Sequence, residues 1–264
     1  MENRIDKKFR DLKNRKKTAF IAFITAGDPS LKTTAELVYA FEKIGVDIVE
    51  LGVPFSDPLA DGPTIQAASQ RALKKNVNIS KIFNTVKSIR RKTDIPIALM
   101  TYYNPVFHFR ESRFVEQCRL AGVDGLIIPD LPPEEAGPYI QACRRNHLSS
   151  IFFLSPATHK NRMSRIIKAS SGFIYYVSLT GVTGERSQLS KDLKKSLTAA
   201  RHMSHKPVCV GFGISTPRQV KEIGKYSDGV IVGSAIVKEI YKHRRDSHLV
   251  KKVSDFVSRL AEAV

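Results

Sequence analysis

The chain has 264 residues, 43 Lys and Arg against 25 Asp and Glu, a formal charge of +18, and 42% hydrophobic and 26% charged residues, with 15 Gly and 13 Pro spread along its length. This balance excludes a disordered chain, and no apolar stretch approaches the roughly 18 residues that a membrane span needs. Barrels of alternating strands and helices commonly occupy about 250 residues as one unit, so one domain over residues 1–264 is expected.

The opening MENRIDKKFR lacks the apolar centre of a secretory signal. Cys118, Cys143 and Cys209 are odd in number, far apart and without CxxC spacing, which predicts reduced, buried thiols in a cytoplasmic protein. Basic groups such as Lys74-Lys75, Arg90 to Lys92, Arg144-Arg145, Lys194-Lys195 and Lys242 to Arg245 fall near the ends of predicted helices, where cations offset the helix dipole. Solvated helix surface is the plain account of the charge. A nucleic-acid footprint, or attraction of anionic substrates or an acidic partner, are the alternatives, because a single phosphate ligand brings only about two negative charges. The basic run Lys13 to Lys17 leads straight into an apolar strand, which argues against a targeting signal.

In chain order, Ile5, Phe9 and Leu12 stand at helical spacing and predict a short helix before Asn14, placed to plug the bottom of the fold. Eight short apolar runs follow: Thr18 to Thr25, Val46 to Leu51, Ile95 to Tyr102, Gly125 to Pro129, Ser150 to Leu154, Phe173 to Ser178, Val208 to Gly211 and Gly229 to Val232. Each is trailed by a helix-like stretch. The first such stretch opens with a capping signal at Asp28-Pro29-Ser30, carries Leu31, Ala35, Leu37, Val38 and Phe41 on one face, and stops at Gly45. The connection after the second run is longer, with helical stretches at about 62–75 and 79–91. Continuous apolar strands separated by helices predict a covered parallel sheet, and eight of them close it: an α/β chain, a (β/α)8 TIM barrel with an extra N-terminal helix. The rival, an open doubly wound sheet, lacks its glycine fingerprint, since Ala26-Gly27-Asp28-Pro29 has one glycine and a proline.

Loops at the C-terminal ends of barrel strands build the active site. Glu50 ends the second run among Ile48, Val49, Leu51 and Val53, where desolvation raises a carboxyl pKa toward the range useful for proton transfer. A Glu held in a salt bridge at the barrel mouth is the structural alternative. The next loop, Gly52 to Thr64, contains three prolines, two glycines, Asp57 and Asp61, a composition suited to holding a carboxylate rigidly above the barrel. Asp61 could instead cap the helix starting near Pro63. Gly211-Phe212-Gly213 and Gly233-Ser234 follow the seventh and eighth runs, where backbone N–H groups and a helix N-terminus can grip phosphate. The glycine-containing loop Thr180 to Arg186 could close over a ligand. No run ends in a lysine and no His/Cys/Asp cluster at a strand end has metal-ligand spacing, so neither a Schiff base nor a metal is expected. His202 and His205 lie at the opposite face, in a helix-to-strand connection.

With these residues in view, the chain resembles the α subunit of tryptophan synthase across nearly its whole length. The strongest match is VELGVPFSDPLADGPTIQ, Val49 to Gln66, joined by FITAGDP from Phe23, YYNPVF from Tyr102, PDLPPEE from Pro129, SLTGVTG from Ser178, GFGIS from Gly211 and GSAIVK from Gly233. The resemblance implies a lyase of tryptophan biosynthesis that cleaves indole-3-glycerol phosphate to indole and glyceraldehyde 3-phosphate by a retro-aldol reaction, with no cofactor in this chain. It implies that Glu50 shuttles protons, that Asp61 stabilises the charge developing on the indole nitrogen, and that Phe23, Met100, Tyr102, Ile128, Tyr175 and Phe212 form the indole slot and its rim. Gly184, Gly213, Gly233 and Ser234 would hold the phosphate, with Thr183 closing the loop and orienting Asp61.

The family pairs with a β subunit that carries pyridoxal phosphate, in an α2β2 heterotetramer, and the resemblance places Asp57, Pro58, Asn104, Phe107, Pro129, Asp130 and Leu131 at that contact. The strong basic charge, and Leu179 in the loop after the sixth run, depart from the family's pattern. A free-standing lyase that releases indole, and a regulatory subunit with weak catalysis, are the alternative functions; intact Glu50 and Asp61 argue against the second.

Overall fold

The computed structural model describes residues 3–177, 191–211 and 213–264. Its strands are β1 (Ala19–Thr25), β2 (Ile48–Gly52), β3 (Ile97–Met100), β4 (Gly125–Ile127), β5 (Ser149–Ile151), β6 (Phe153–Leu154), β7 (Ile174–Val177), β8 (Val208–Gly211) and β9 (Gly229–Val232). Every pairing is parallel, in the order β5-β4-β3-β2-β1-β9-β8-β7-β6. The two ends of that order are separated in the chain by Phe152 alone. They are halves of one interrupted strand, so the sheet closes into a ring of eight strand positions, the (β/α)8 barrel expected. The third run is shorter than its apolar stretch, because Pro96 has no N–H to contribute to the ladder.

Closure explains why the strands read as continuous apolar runs: both faces are covered. Ile21, Ile48, Ala98, Ile127, Ile151, Cys209 and Ile231 point inward and form one interior cluster. Their neighbours Phe20, Ala22, Val49, Leu51, Leu99, Leu126, Val210 and Val230 point outward and pack in the layer beneath the helices. The N-terminal helix Arg4–Asn14 adds Ile5, Phe9 and Leu12 to the interior cluster, so it plugs the barrel bottom, with Phe9 and Phe173 rings 5.7 Å apart. Gly125 permits this approach, since a Cβ there would lie 2.8 Å from the tip of Ile5.

Outside the ring, Ser30 caps the helix Leu31–Lys43 by accepting the Thr33 N–H, and Gly45 turns the chain at φ +86. The long second connection holds the helices Pro63–Leu73 and Ile79–Arg90. Most of the described helices carry Lys, Arg or His in their last turn, where they oppose the dipole. The three cysteines are free and buried, and among the described residues no helix is long and apolar enough to cross a membrane.

One buried carboxylate ties the bottom together. Asp124 accepts from Arg90 at 2.6 Å, from Arg4 at 3.1 Å and from the Ile97 backbone N–H at 2.8 Å, joining two helices to β3 and β4. Arg90 also donates to the carbonyls of Gly122 and Ile95. Removing the carboxylate leaves a nearly buried guanidinium without its counter-charge, so Asp124→Ala is expected to cost about 3–5 kcal/mol of unfolding free energy, measured by urea denaturation. A loss under about 1 kcal/mol would mean the pair is as solvent-screened as a surface bridge.

Candidate active site

Strand alternation puts Glu50 on the inward face of β2, in register with Phe23 of β1 and Ala98 of β3. Its side chain has no exposed surface, and among the described residues neither carboxylate oxygen has a hydrogen-bond partner. The salt-bridge alternative is therefore not what this structure contains. An unpaired carboxylate in such surroundings is costly to ionise. Burial pushes its pKa up to about 8, and repulsion from Asp61 adds to the rise.

Asp61 stands in the rigid loop above the same mouth. The helix Pro63–Leu73 is capped by Gly62 with no side-chain bond, so the Asp61 carboxylate is not engaged as a cap. Instead the loop is bound at its edges: Gln66 Nε2 donates to the Asp61 carbonyl at 2.8 Å, and the Ala60 N–H donates to the Tyr102 hydroxyl at 3.0 Å. Tyr102 also stacks on Phe55 of the loop, with ring centroids 5.2 Å apart. Partial burial raises Asp61 to about 6, with the neighbouring Tyr102 hydroxyl opposing the rise. Burial, then the nearby Asp61 charge, pushes Tyr102 upward. At neutral pH the two acids are thus held in different states, Glu50 mostly protonated and Asp61 mostly ionised.

Aromatic and apolar side chains complete the mouth. Phe23 packs with Met100, Ile65, Ala68 and Val237. Met100 and Tyr175 both pack against the interior cluster, and burial, then the charges of Glu50 and Asp61, push the Tyr175 hydroxyl's pKa upward. Two inward glycines make room for these rings: a Cβ at Gly52 would lie 2.6 Å from the Phe23 ring, and one at Gly211 would lie 2.7 Å from Tyr175. Ile128 does not join them. Ile127 takes the inward position and Ile128 falls in the outer layer beneath the helices, because successive residues alternate between faces. Phe153, 4.8 Å from the Tyr175 ring, and the buried hydroxyls of Thr25 and Thr101 were not singled out from sequence; the available signal was their position at strand C-terminal ends.

The N-cap of the helix Ser234–His243 is Gly233, which has no side chain to cap it, so the first turn presents its N–H groups as a positive helix end. Gly233 lies against Phe23, which brings this anion-binding end to the same mouth. Gly213 is exposed at φ +69, a conformation that favours glycine. Thr183, Gly184, Leu179 and Phe212 lie outside the described residues. Among the described residues no group of three or more His, Cys, Asp or Glu side chains could hold a metal ion.

Of the proposed contact residues, Asp57, Asn104, Asp130 and Phe107 are exposed, the last by 68%, while Pro58 and Pro129 are half-buried. Leu131 is buried in the outer layer and offers no surface to a partner. Leu59, 93% exposed beside Pro58, is an apolar surface residue the sequence did not single out.

A family model described as tryptophan synthase alpha chain matches residues 9–264. The chain is 49% identical over 261 residues to the tryptophan synthase alpha chain of Geotalea daltonii, covering 99% of this chain and 98% of that one. It is 46% identical to that of Thermoanaerobacter pseudethanolicus, covering 99% and 100%. Among solved structures, tryptophan synthase subunit alpha from Legionella pneumophila superposes with a TM-score of 0.93 at 36% identity, covering 100% of this chain and 98% of that one. A chain of Mycobacterium tuberculosis tryptophan synthase gives 0.90 at 32%, covering 100% and 99%.

Glu50 keeps its proton in the folded state where the unfolded chain has already released it. Its contribution therefore makes stability fall as pH rises from the ordinary 4.5 toward about 8. Glu50→Gln cannot ionise, so the stability difference between variant and parent is expected to move in the variant's favour by on the order of 4 kcal/mol across that window. Urea unfolding at several pH values measures it; parallel curves for the two proteins would show that Glu50 ionises as freely folded as unfolded.

Proposed function

The chain belongs to the tryptophan synthase alpha chain family, and from that premise we propose that Glu50 and Asp61 carry its chemistry, the retro-aldol cleavage of indole-3-glycerol phosphate to indole and glyceraldehyde 3-phosphate in tryptophan biosynthesis. The observation that carries this assignment is Glu50 itself: a fully buried carboxyl group in the barrel mouth, without a hydrogen-bond partner among the described residues and kept protonated near neutral pH beside a second acid. Bond cleavage at indole C3 needs a proton on that carbon first. Protonated Glu50 supplies it, and the carboxylate then formed takes the proton of the glycerol hydroxyl next to the breaking bond, so the group returns to its starting state. Protonation at C3 spreads positive charge to the ring nitrogen, whose N–H the Asp61 carboxylate accepts.

The Tyr102 and Gln66 hydrogen bonds to Asp61 and its loop limit the reorganisation this step requires. Phe23, Met100 and Tyr175, with Phe153 and Ile127 from the interior, supply the apolar slot, and Gly213, Gly233 and Ser234, together with Gly184, supply donors for the phosphate. Thr183 and Phe212 are assigned from the resemblance alone.

For a partner we infer a β subunit docking where Asp57, Pro58, Asn104, Phe107, Pro129 and Asp130 surround the mouth. Exposed Phe107 and Leu59 give that surface an apolar component suited to a stable contact. Pyridoxal phosphate belongs to that partner.

Glu50→Gln is expected to lower kcat by about 100- to 10,000-fold while substrate affinity changes little. Asp61→Asn is expected to lower it by about 100-fold or more. The chain has no Trp, so indole release can be followed by fluorescence; near-parental turnover in either variant removes that residue from its role. Adding a β subunit is expected to raise turnover, and Phe107→Asp to weaken that effect. Full activity of the isolated chain, unchanged by any β subunit, would favour the free-standing lyase.

A further inference from the structure

We propose that the barrel face opposite Glu50 carries a second binding site, for a small anion bearing two or more phosphoryl groups. Thr18, Pro207 and Asp228 stand just before β1, β8 and β9, and together with the end of the plug helix they line a pocket of about 720 Å³. That volume is in the range of ligand sites. The basic run after the plug helix and the His202/His205 pair, which the reaction leaves unused, meet in this one depression.

Six Lys and Arg side chains line it: Lys13, Lys16, Lys17, Arg201, Lys206 and Lys225. Among the described residues the one lining carboxylate, Asp228, is already engaged by Arg201 at 2.8 Å and by the Val208 N–H at 2.9 Å. Nearby, Glu222 is shared by Lys225 and Lys194, each at 2.9 Å, and Asp47 is met by Lys8 at 3.5 Å. Three helices, Arg4–Asn14, Lys191–Met203 and Pro217–Gly224, end at this pocket, and each C-terminus presents about half a negative charge. Setting those ends, Asp228 and Glu222 against the six cations leaves an excess of about two to three positive charges. Offsetting helix dipoles therefore does not account for the cluster.

The backbone points the same way. Lys16 adopts φ +53 where a helix end usually takes glycine, and the turn is held by the Lys17 N–H on the Leu12 carbonyl at 2.9 Å. Leu12, Pro207 and Tyr226 supply apolar wall for the carbon part of a ligand. Charges that ring a bounded depression suit a compact polyanion better than an extended nucleic acid, which needs a stripe.

Calorimetric titration of the full chain with inorganic tripolyphosphate, at physiological ionic strength, tests this. One saturable site is expected, weakened about ten-fold or more by Lys16→Gln/Lys17→Gln/Lys225→Gln. It should survive Ser234→Asp, which blocks the helix end at the opposite mouth, and Lys87→Gln/Arg113→Gln, which removes two positive charges elsewhere. Undiminished binding by the triple variant, equal loss in the Lys87/Arg113 control, loss in Ser234→Asp, or tighter binding of a short single-stranded RNA than of tripolyphosphate would each overturn the proposal. Circular dichroism of each variant establishes that it is folded.

Discussion

The structure depends on one unfavourable placement: a carboxyl group set among apolar side chains on the inward face of a closed parallel sheet. Glu50 is fully buried and has no donor among the described residues to stabilise its anion, so it keeps its proton at pH values where an exposed glutamate has lost it. Only a ring of strands with a plugged bottom can impose this. An open sheet would let solvent reach the group, and a salt bridge in the mouth would return it to an ordinary acid. Asp61 differs in kind. Its loop leaves it partly solvated beside the Tyr102 hydroxyl, so two carboxyl groups in one mouth hold different charges.

That placement works against folding, and the rest of the barrel offsets it. At the bottom, Ile5, Phe9 and Leu12 fill the interior, while Asp124 draws Arg4, Arg90 and the Ile97 amide to one point. At the top stand mouth-lining rings and the Thr25 and Thr101 hydroxyls, which have no partner among the described residues, with glycines at Gly52 and Gly211 to admit the rings. Stability is concentrated at the N-terminal ends of the strands and chemistry at the C-terminal ends, the separation expected where the loops after each strand vary independently of the core. Six lysines and arginines line one depression at the stable end, opposite Glu50 and Asp61.

The barrel itself was legible in the sequence, because both faces of the strands are largely covered and the runs are therefore mostly apolar. Glu50 stood out for the same reason: a charge at the end of such a run has few solvated places to go. Ser30 and Gly45 marked the ends of the first outer helix through local backbone chemistry, which needs no tertiary context. The acidic loop's composition likewise announced rigidity, though not whether Asp61 would cap a helix or face the mouth.

Tertiary structure decided the matters that turn on a single residue of register or on distant neighbours. Ile127, not Ile128, faces inward, because a one-residue step reverses a side chain's face and an apolar pair carries no mark of which member is inside. Leu131 is buried although its neighbours Pro129 and Asp130 retain exposure, and Phe153 meets Tyr175 only because adjacent strands in the ring bring them together. By itself the sequence determined the alternation of elements and the residue types at strand ends, since these follow from local periodicity and backbone preference. Protonation state, pairing of the acids and the gathering of far-apart lysines at one face depend on distances across the ring, which exist only once the sheet has closed.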